Sequence, residues 1–417
     1  MATVLMIIVA TVLECSGEKA KVKEVVKSNF FLLILLAVIS AKAQDFGSYY
    51  SLSAGYDTNP LIENESSESA IMRNSFGIGY FPAKSGFKAS YSGNITSFFA
   101  FPERNYNAHI LRSDYTFQPF KYPYFEIETG LISKMRLNSV DAVLYDYIDV
   151  NPQISFVLYS DIGVVGLSYL PSNTSFINFR NLDNSLNEFE LSIDKTFSTE
   201  TNVLFLTKLG YKNFYNAGQE LHSPLNPLGR GKNYRRFSNR QGNRQSPNFV
   251  YTDNVTSTID FGLDIYQPIT DNIIFSISGN TNIHLNDNGF YFASGTTDLY
   301  NEREFFNDIY NYEEKSISVS TIFDLSKYID LSIAYNYFQR DFMYSLSLID
   351  DKYNKDINRK DDGNLLYVEI KYKPEMVLNY IKSINFNLKF DYFLNKSNLD
   401  EYSFETSGII FSTILEF

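Results

Sequence analysis

The chain has no tryptophan, one cysteine and three histidines in 417 residues. The cysteine, Cys15, lies in a segment read below as a leader, so residues 44–417 can hold neither a disulfide nor a thiolate metal site. A cationic surplus is missing too. Acidic residues outnumber basic ones 48 to 36, a formal net charge of −12. A phosphate-binding surface needs the opposite balance, so nucleic acid is excluded as a partner. Beyond Ile39 no apolar run approaches the about 20 residues of a membrane-spanning helix. What the chain has in abundance is Tyr (32) and Phe (36), strand formers that also suit a membrane interface.

The two ends point to export. From Lys27 to Ala43 runs a basic start, an apolar stretch over Phe30–Ile39 and the small-x-small tripeptide Ala41-Lys42-Ala43. This is the layout of a secretory leader, with cleavage expected after Ala43. Residues 1–25 hold a second apolar run, Ala2 to Leu13, with no positive charge before it and Glu14 and Glu18 after it. The expectation is that translation starts at Val25 or Val26 from a GTG codon. A lipid on Cys15 is not expected, because Glu14 stands where a small residue is needed. Residues 1–43 are thus read as leader, with 1–25 a mis-assigned start, and 44–417 as a single domain. At the other end, Ile409, Phe411, Thr413, Leu415 and Phe417 share one face of an alternating strand, and Gly408, Ser412 and Glu416 share the other with Ile410 and Ile414.

That alternation recurs along the chain. Phe386, Leu388, Phe390, Tyr392 and Leu394 oppose Asn385, Asn387, Lys389 and Asp391. Phe125, Ile127 and Leu131 oppose Glu126, Glu128 and Gly130, and Leu366, Val368, Ile370 and Tyr372 oppose Tyr367, Glu369, Lys371 and Lys373. A soluble sandwich would also alternate, with its apolar face inward. Two features count against it. The strand-like stretches run well past the about 5–6 residues usual in soluble sheets. Short connections at 82–86, 119–123, 159–161, 198–200, 268–271, 326–328 and 374–382 also alternate with long ones at 57–70, 99–105, 137–143, 172–185, 216–249, 287–312, 346–363 and 396–401.

The expected fold is therefore all-β: a closed antiparallel transmembrane β-barrel of about 16 strands, with short periplasmic turns and long extracellular loops. Fourteen strands is the alternative, because segments 143–158 and 250–267 could each hide a bend. A ring of sixteen encloses an aqueous channel. Its lumen face is expected to carry Arg112, Asp114, Glu126, Glu128, Lys134, Arg136, Glu188, Glu190, Asp194, Lys208, Lys212, Glu369, Lys371, Lys373, Lys389 and Asp391. So many charges require water or partners. Mixed signs suit a general channel.

Loop 222–244 carries Arg230, Lys232, Arg235, Arg236, Arg240 and Arg244 and no acid. Folded into the lumen, these residues would gate the pore with forks suited to carboxylate, sulfate or phosphate. The plainer reading is a flexible outer loop. Loop 287–312 and its edge are acidic, with Asp298, Glu302, Glu304, Asp308, Glu313 and Glu314 against Arg303 alone. In loop 346–363, Asp350, Asp351, Asp356, Asp361 and Asp362 are nearly neutralised by Lys352, Lys355, Arg359 and Lys360, and match no calcium-loop spacing. No metal or cofactor is expected. Nor is catalysis. The segment His284 to Gly289 is similar to the His-x-Ser-Asn-Gly stretch of outer-membrane phospholipases, but Asn286 replaces the nucleophilic serine. His109 falls on the lipid register, and His222 lies in the basic loop.

On its leader, alternation, loop asymmetry and terminal Phe417, the chain from residue 44 onward resembles bacterial outer-membrane β-barrel proteins of the porin-like superfamily. The resemblance implies an outer-membrane location, contact with the lipid bilayer and outer-leaflet glycolipid, small solutes as cargo, and a homotrimer as one assembly state. It also implies that barrel-assembly machinery reads Phe411, Leu415 and Phe417 as a signal. Gly55-Tyr-Asp-Thr-Asn-Pro60 resembles the Tyr-Asp-x-Asn motif of surface-lipoprotein assembly modifier and exopolysaccharide-export barrels. Two functions follow: a passive channel for small hydrophilic solutes, or a non-conducting accessory barrel for surface assembly or export.

Overall fold

The computed structural model describes residues 45–59, 68–82, 86–119, 124–139, 146–178, 180, 183–215, 255–286, 312–342, 347–349, 352–354, 358–375 and 381–417. Its strands are β1 (Phe46–Asp57), β2 (Ser69–Tyr80), β3 (Phe87–Phe98), β4 (Tyr106–Phe117), β5 (Phe125–Asn138), β6 (Tyr147–Ser160), β7 (Gly163–Phe176), β8 (Asn184–Thr196) and β9 (Asn202–Phe214). They continue as β10 (Val255–Thr270), β11 (Ile273–His284), β12 (Tyr312–Ser326), β13 (Ile329–Phe342), the short hairpin β14 (Ser347–Ile349) and β15 (Lys352–Asn354), then β16 (Lys360–Tyr372), β17 (Ser383–Ser397) and β18 (Phe404–Glu416). All but the hairpin form one closed antiparallel ring in sequence order, sealed where β1 meets β18. Closure leaves no strand edge unpaired, which is the condition for a sheet to sit in hydrocarbon.

The ring has sixteen strands, so β1 begins and β18 ends on one rim, here the turn side; the long connections leave from the opposite, loop side. Within segments 143–158 and 250–267 the described residues hold no bend that splits them: Tyr147–Leu158 belong to β6 and Val255–Gln267 to β10. The count of sixteen removes the 14-strand alternative. Several boundaries move. Pro268 lies inside β10, at a register slip next to the turn, and the connection read as 172–185 shrinks because β7 runs on to Phe176. The turn after β6 is so tight that Gly163 adopts φ 136°, a conformation open to glycine and strained for other residues.

Alternation sorts the side chains into two faces. On one, Leu111, Leu167 and Phe189 each remain 52–54 % exposed, and similar Ile, Leu and Phe side chains ring the whole barrel. Among the described residues they pack against no second sheet. Apolar surface of that extent needs hydrocarbon over it, so this is the outer face. Tyrosines end the apolar belt on the loop side, each bonded to a polar group one strand over. Tyr169 donates to Asn187 (2.6 Å), Tyr335 to Asn364 (2.5 Å), Tyr337 to Asp362 (3.0 Å), and Tyr56 to Glu68. A ring with an apolar body and a satisfied hydroxyl fits the boundary between lipid and headgroups.

At the turn side the last strand points Phe411, Leu415 and Phe417 outward. Phe417 is buried against Tyr50, with Leu52, Phe76, Ile381 and Leu415 around it, and its N–H bonds the Ser48 carbonyl at 2.9 Å. The terminal ring thus sits under its neighbours rather than open to lipid.

Candidate functional site

The inner face is polar, and strand register decides which residues it holds. Following the pairing from β4 round to β17 places Arg112, Asp114, Glu126, Glu128, Lys134, Arg136, Glu188, Glu190, Asp194, Lys208, Lys212, Glu369, Lys371, Lys373, Lys389 and Asp391 on that face together. Several are engaged with one another. Arg112 pairs with Asp114 at 2.7 Å, and Gln153 donates to the same carboxylate at 3.2 Å. Lys208 lies 3.2 Å from Glu190, and Glu369 sits between Lys371 (3.1 Å) and Lys389 (3.5 Å).

Register also brings in residues not singled out from sequence: Arg73, Asp149, Asp260, Asp264, Asp330 and Arg340 all face inward, and so do Glu314 and Asp361, which the sequence placed in acidic loop segments. In β10 the signal was present: Ile259, Phe261, Leu263 and Ile265 alternate with Asp260, Gly262 and Asp264.

Near the loop-side rim the pairs are buried. Arg340 bonds Glu314 at 2.7 Å between the rings of Tyr312 and Phe338, 4.3 and 4.1 Å from their centroids. Arg359 bonds Asp361 and lies over Tyr402 (3.9 Å), while Asn395 donates to Asp361 at 3.1 Å. Asp361 and Asp362, read from sequence as loop residues, are both in β16, one facing in and one facing out to Tyr337. Removing one partner of such a buried pair costs about 3–5 kcal/mol, whereas a lumen-exposed pair is worth about 0–1 kcal/mol.

A recess of about 320 Å³ opens in the inner wall where β17, β18, β1 and β2 meet. It forms because Gly55 and Gly408 leave the wall without side chains there; a Cβ on Gly408 would press on the Asp391 carboxylate at 3.0 Å. Around it stand Arg73, Arg136, Lys389 and Asp391. Arg73 has its Nε held by the buried Thr96 hydroxyl at 3.2 Å while its guanidinium stays exposed, and Arg136 lies 3.9 Å over the Tyr106 ring. The arrangement offers fixed donors and a carboxylate to a small polar solute.

The remaining sequence candidates fall elsewhere. Arg230, Lys232, Arg235, Arg236, Arg240 and Arg244 lie outside the described residues, as do His222 and most of the acidic segment. His109 faces outward, its Nδ1 2.7 Å from the Tyr91 hydroxyl. Asn286 bonds the Val255 carbonyl (3.0 Å) and receives the Ser257 N–H (2.9 Å), so it fastens two strand ends together. In the Tyr-Asp-x-Asn motif, Asp57 accepts from Thr406 (2.7 Å) and from the Asn59 N–H (2.8 Å), tying β1 to β18. That is a closure role.

No protein-family model matches the chain, and no curated protein matches it. Among solved structures it is similar to OccAB1 of Acinetobacter baumannii (10 % identity, TM-score 0.48, covering 90 % of this chain and 97 % of that one). It is also similar to a BenF-like porin from Pseudomonas fluorescens Pf-5 (10 %, 0.47, 90 % and 99 %) and to the outer membrane protein OpdK from Pseudomonas aeruginosa (8 %, 0.46, 90 % and 99 %).

Proposed function

We propose that this protein is a porin-like passive channel of a bacterial outer membrane, conducting small hydrophilic solutes down their gradient without catalysis. One observation carries the reading: a closed ring of sixteen strands turns an apolar face outward and a charged, ion-paired face inward. Charges held at that density inside a ring wider than a packed core require water around them, and a water-filled ring is a conduit. In this reading the turn side faces the periplasm, the leader ends at Ala43, and the basic segment from Arg230 to Arg244 serves as the gate at the outer mouth. Phe411, Leu415 and Phe417 act as the assembly signal. The export reading loses its support once the Tyr-Asp-x-Asn residues are accounted for by closure.

Reconstitution into planar bilayers tests the proposal. Steady ohmic single-channel openings are expected, and deletion of 222–246 is expected to raise their conductance. A folded, heat-modifiable barrel that inserts and stays electrically silent would refute the channel reading. Unchanged conductance after the deletion would discard the gate.

A further inference from the structure

Among the described residues, one strand pair has a ladder broken in its interior. Between β6 and β7, Val150 pairs with Asn173 and Ile154 with Tyr169, but the pairs between them are missing although the register on both sides is the same. Elsewhere the register slips only beside turns, at Pro268/Thr270 and Asp324/Ser326.

Continuing the β6–β7 register sets Pro152 directly opposite Pro171. Proline has no N–H to give a ladder. The outer neighbours locate the loss: β5–β6 runs intact through Leu131 and Pro152, and β7–β8 through Pro171 and Asn187. The absent donors are therefore the two that should point at each other across β6–β7. A hydrogen-bonded antiparallel pair exchanges two bonds, and both are impossible here. The Pro152 and Pro171 carbonyls lose their ladder donors inside the apolar belt, where lipid supplies no replacement.

From the lumen, side chains bridge the same two strands. Asp149 accepts from Ser172 at 2.9 Å and Thr174 at 3.1 Å across the junction, and is itself held by Asn151 (2.8 Å) and Lys134 (3.7 Å). On the turn side of the gap Ser168 donates to Ser155 at 2.8 Å.

We propose that the β6–β7 junction is a lateral seam in the barrel wall, opening ahead of the rest of the ring and latched from inside by Asp149. Opened, it joins the lumen to the acyl chains in the loop-side half of the membrane. The inference stands apart from solute transport, because it concerns the wall and is read without any current.

Hydrogen–deuterium exchange on the full barrel in detergent micelles tests it. The amides of Val150, Ile154, Tyr169 and Asn173 are expected to exchange about ten-fold faster than mid-strand amides of β8 and β9. Asp149→Ala should speed exchange further in β6 and β7 and leave β8–β9 alone. Replacing both prolines (Pro152→Val with Pro171→Val) restores the donors and should bring the seam to the β8–β9 rate. If that variant does not fold, Asn151→Cys with Ser172→Cys decides. These opposed lumen-facing positions are spaced for a disulfide, and residues 44–417 hold no other cysteine. Oxidation should remove the fast exchange. Equal rates at β6–β7 and β8–β9 in the unmodified protein would overturn the seam, and acceleration of all strands alike by Asp149→Ala would overturn the latch.

Discussion

Two walls of the lumen, seven strands apart around the ring, differ sharply although their outer faces are alike. Inside β4–β6, Arg112, Asp114, Lys134 and Asp149 form ion pairs fastened by Gln153 and Asn151. Inside β11–β13 the same heights hold Ser276, Ser278, Ser318, Ser320 and Asn336, with Ser276 and Ser320 joined at 2.6 Å. Outside, Leu111 and Leu131 on one wall match Ile317 and Ile333 on the other. Hydrocarbon imposes one demand on every strand's outer residues, while the wet interior tolerates either chemistry. In the proposed channel, discrimination would therefore be written on the inner residues.

The contrast can be broken most severely where ion pairing is buried. Glu314→Ala removes the carboxylate bonded to Arg340, which stays clamped between two rings, and should cost about 3–5 kcal/mol in chemical unfolding of the barrel. Ser318→Ala, in the uncharged middle of that wall, should stay within about 0.5 kcal/mol. Next in size is selectivity. Arg112→Glu with Lys134→Glu should raise the cation-to-anion permeability ratio several-fold in reversal-potential measurements, and Ser318→Lys should move it the other way. Both shifts should shrink in 1 M salt, where screening falls to about 3 Å. Smaller still is Tyr337→Phe, which removes one outer hydrogen bond to Asp362 and should cost about 1 kcal/mol or less.

The smallest effect belongs to the turn residue Lys327, whose ammonium titrates above its ordinary range through its hydrogen bonds to Tyr328 and Glu375. A raised lysine contributes fully below its unfolded pKa and loses that contribution only as pH climbs through the folded one. Lys327→Ala should therefore leave the pH dependence of stability flat from about pH 5 to 8.

The ring itself was legible because charges sit on one register and apolar residues on the other, as in β5, β16 and β17. Arg73 was not, for a physical reason: its neighbour Asn74 is a polar residue on the outer face, satisfied by the Tyr50 hydroxyl at 2.9 Å, and it breaks the alternation locally. Asp361 was misplaced because a polar strand end looks like a loop until its partners, Arg359 and Asn395, are known. The opposed prolines were hidden altogether, since Pro152 and Pro171 acquire meaning only when register sets them face to face.

The alternation of faces is the claim on which the channel rests, and cysteine scanning of β17 in proteoliposomes addresses it most directly. Single cysteines at Asn387, Lys389 and Asp391 should react with a water-soluble maleimide, and those at Leu388, Phe390 and Tyr392 should resist it. Uniform reactivity along the strand, or the opposite phase, would contradict a barrel with lipid outside and water within.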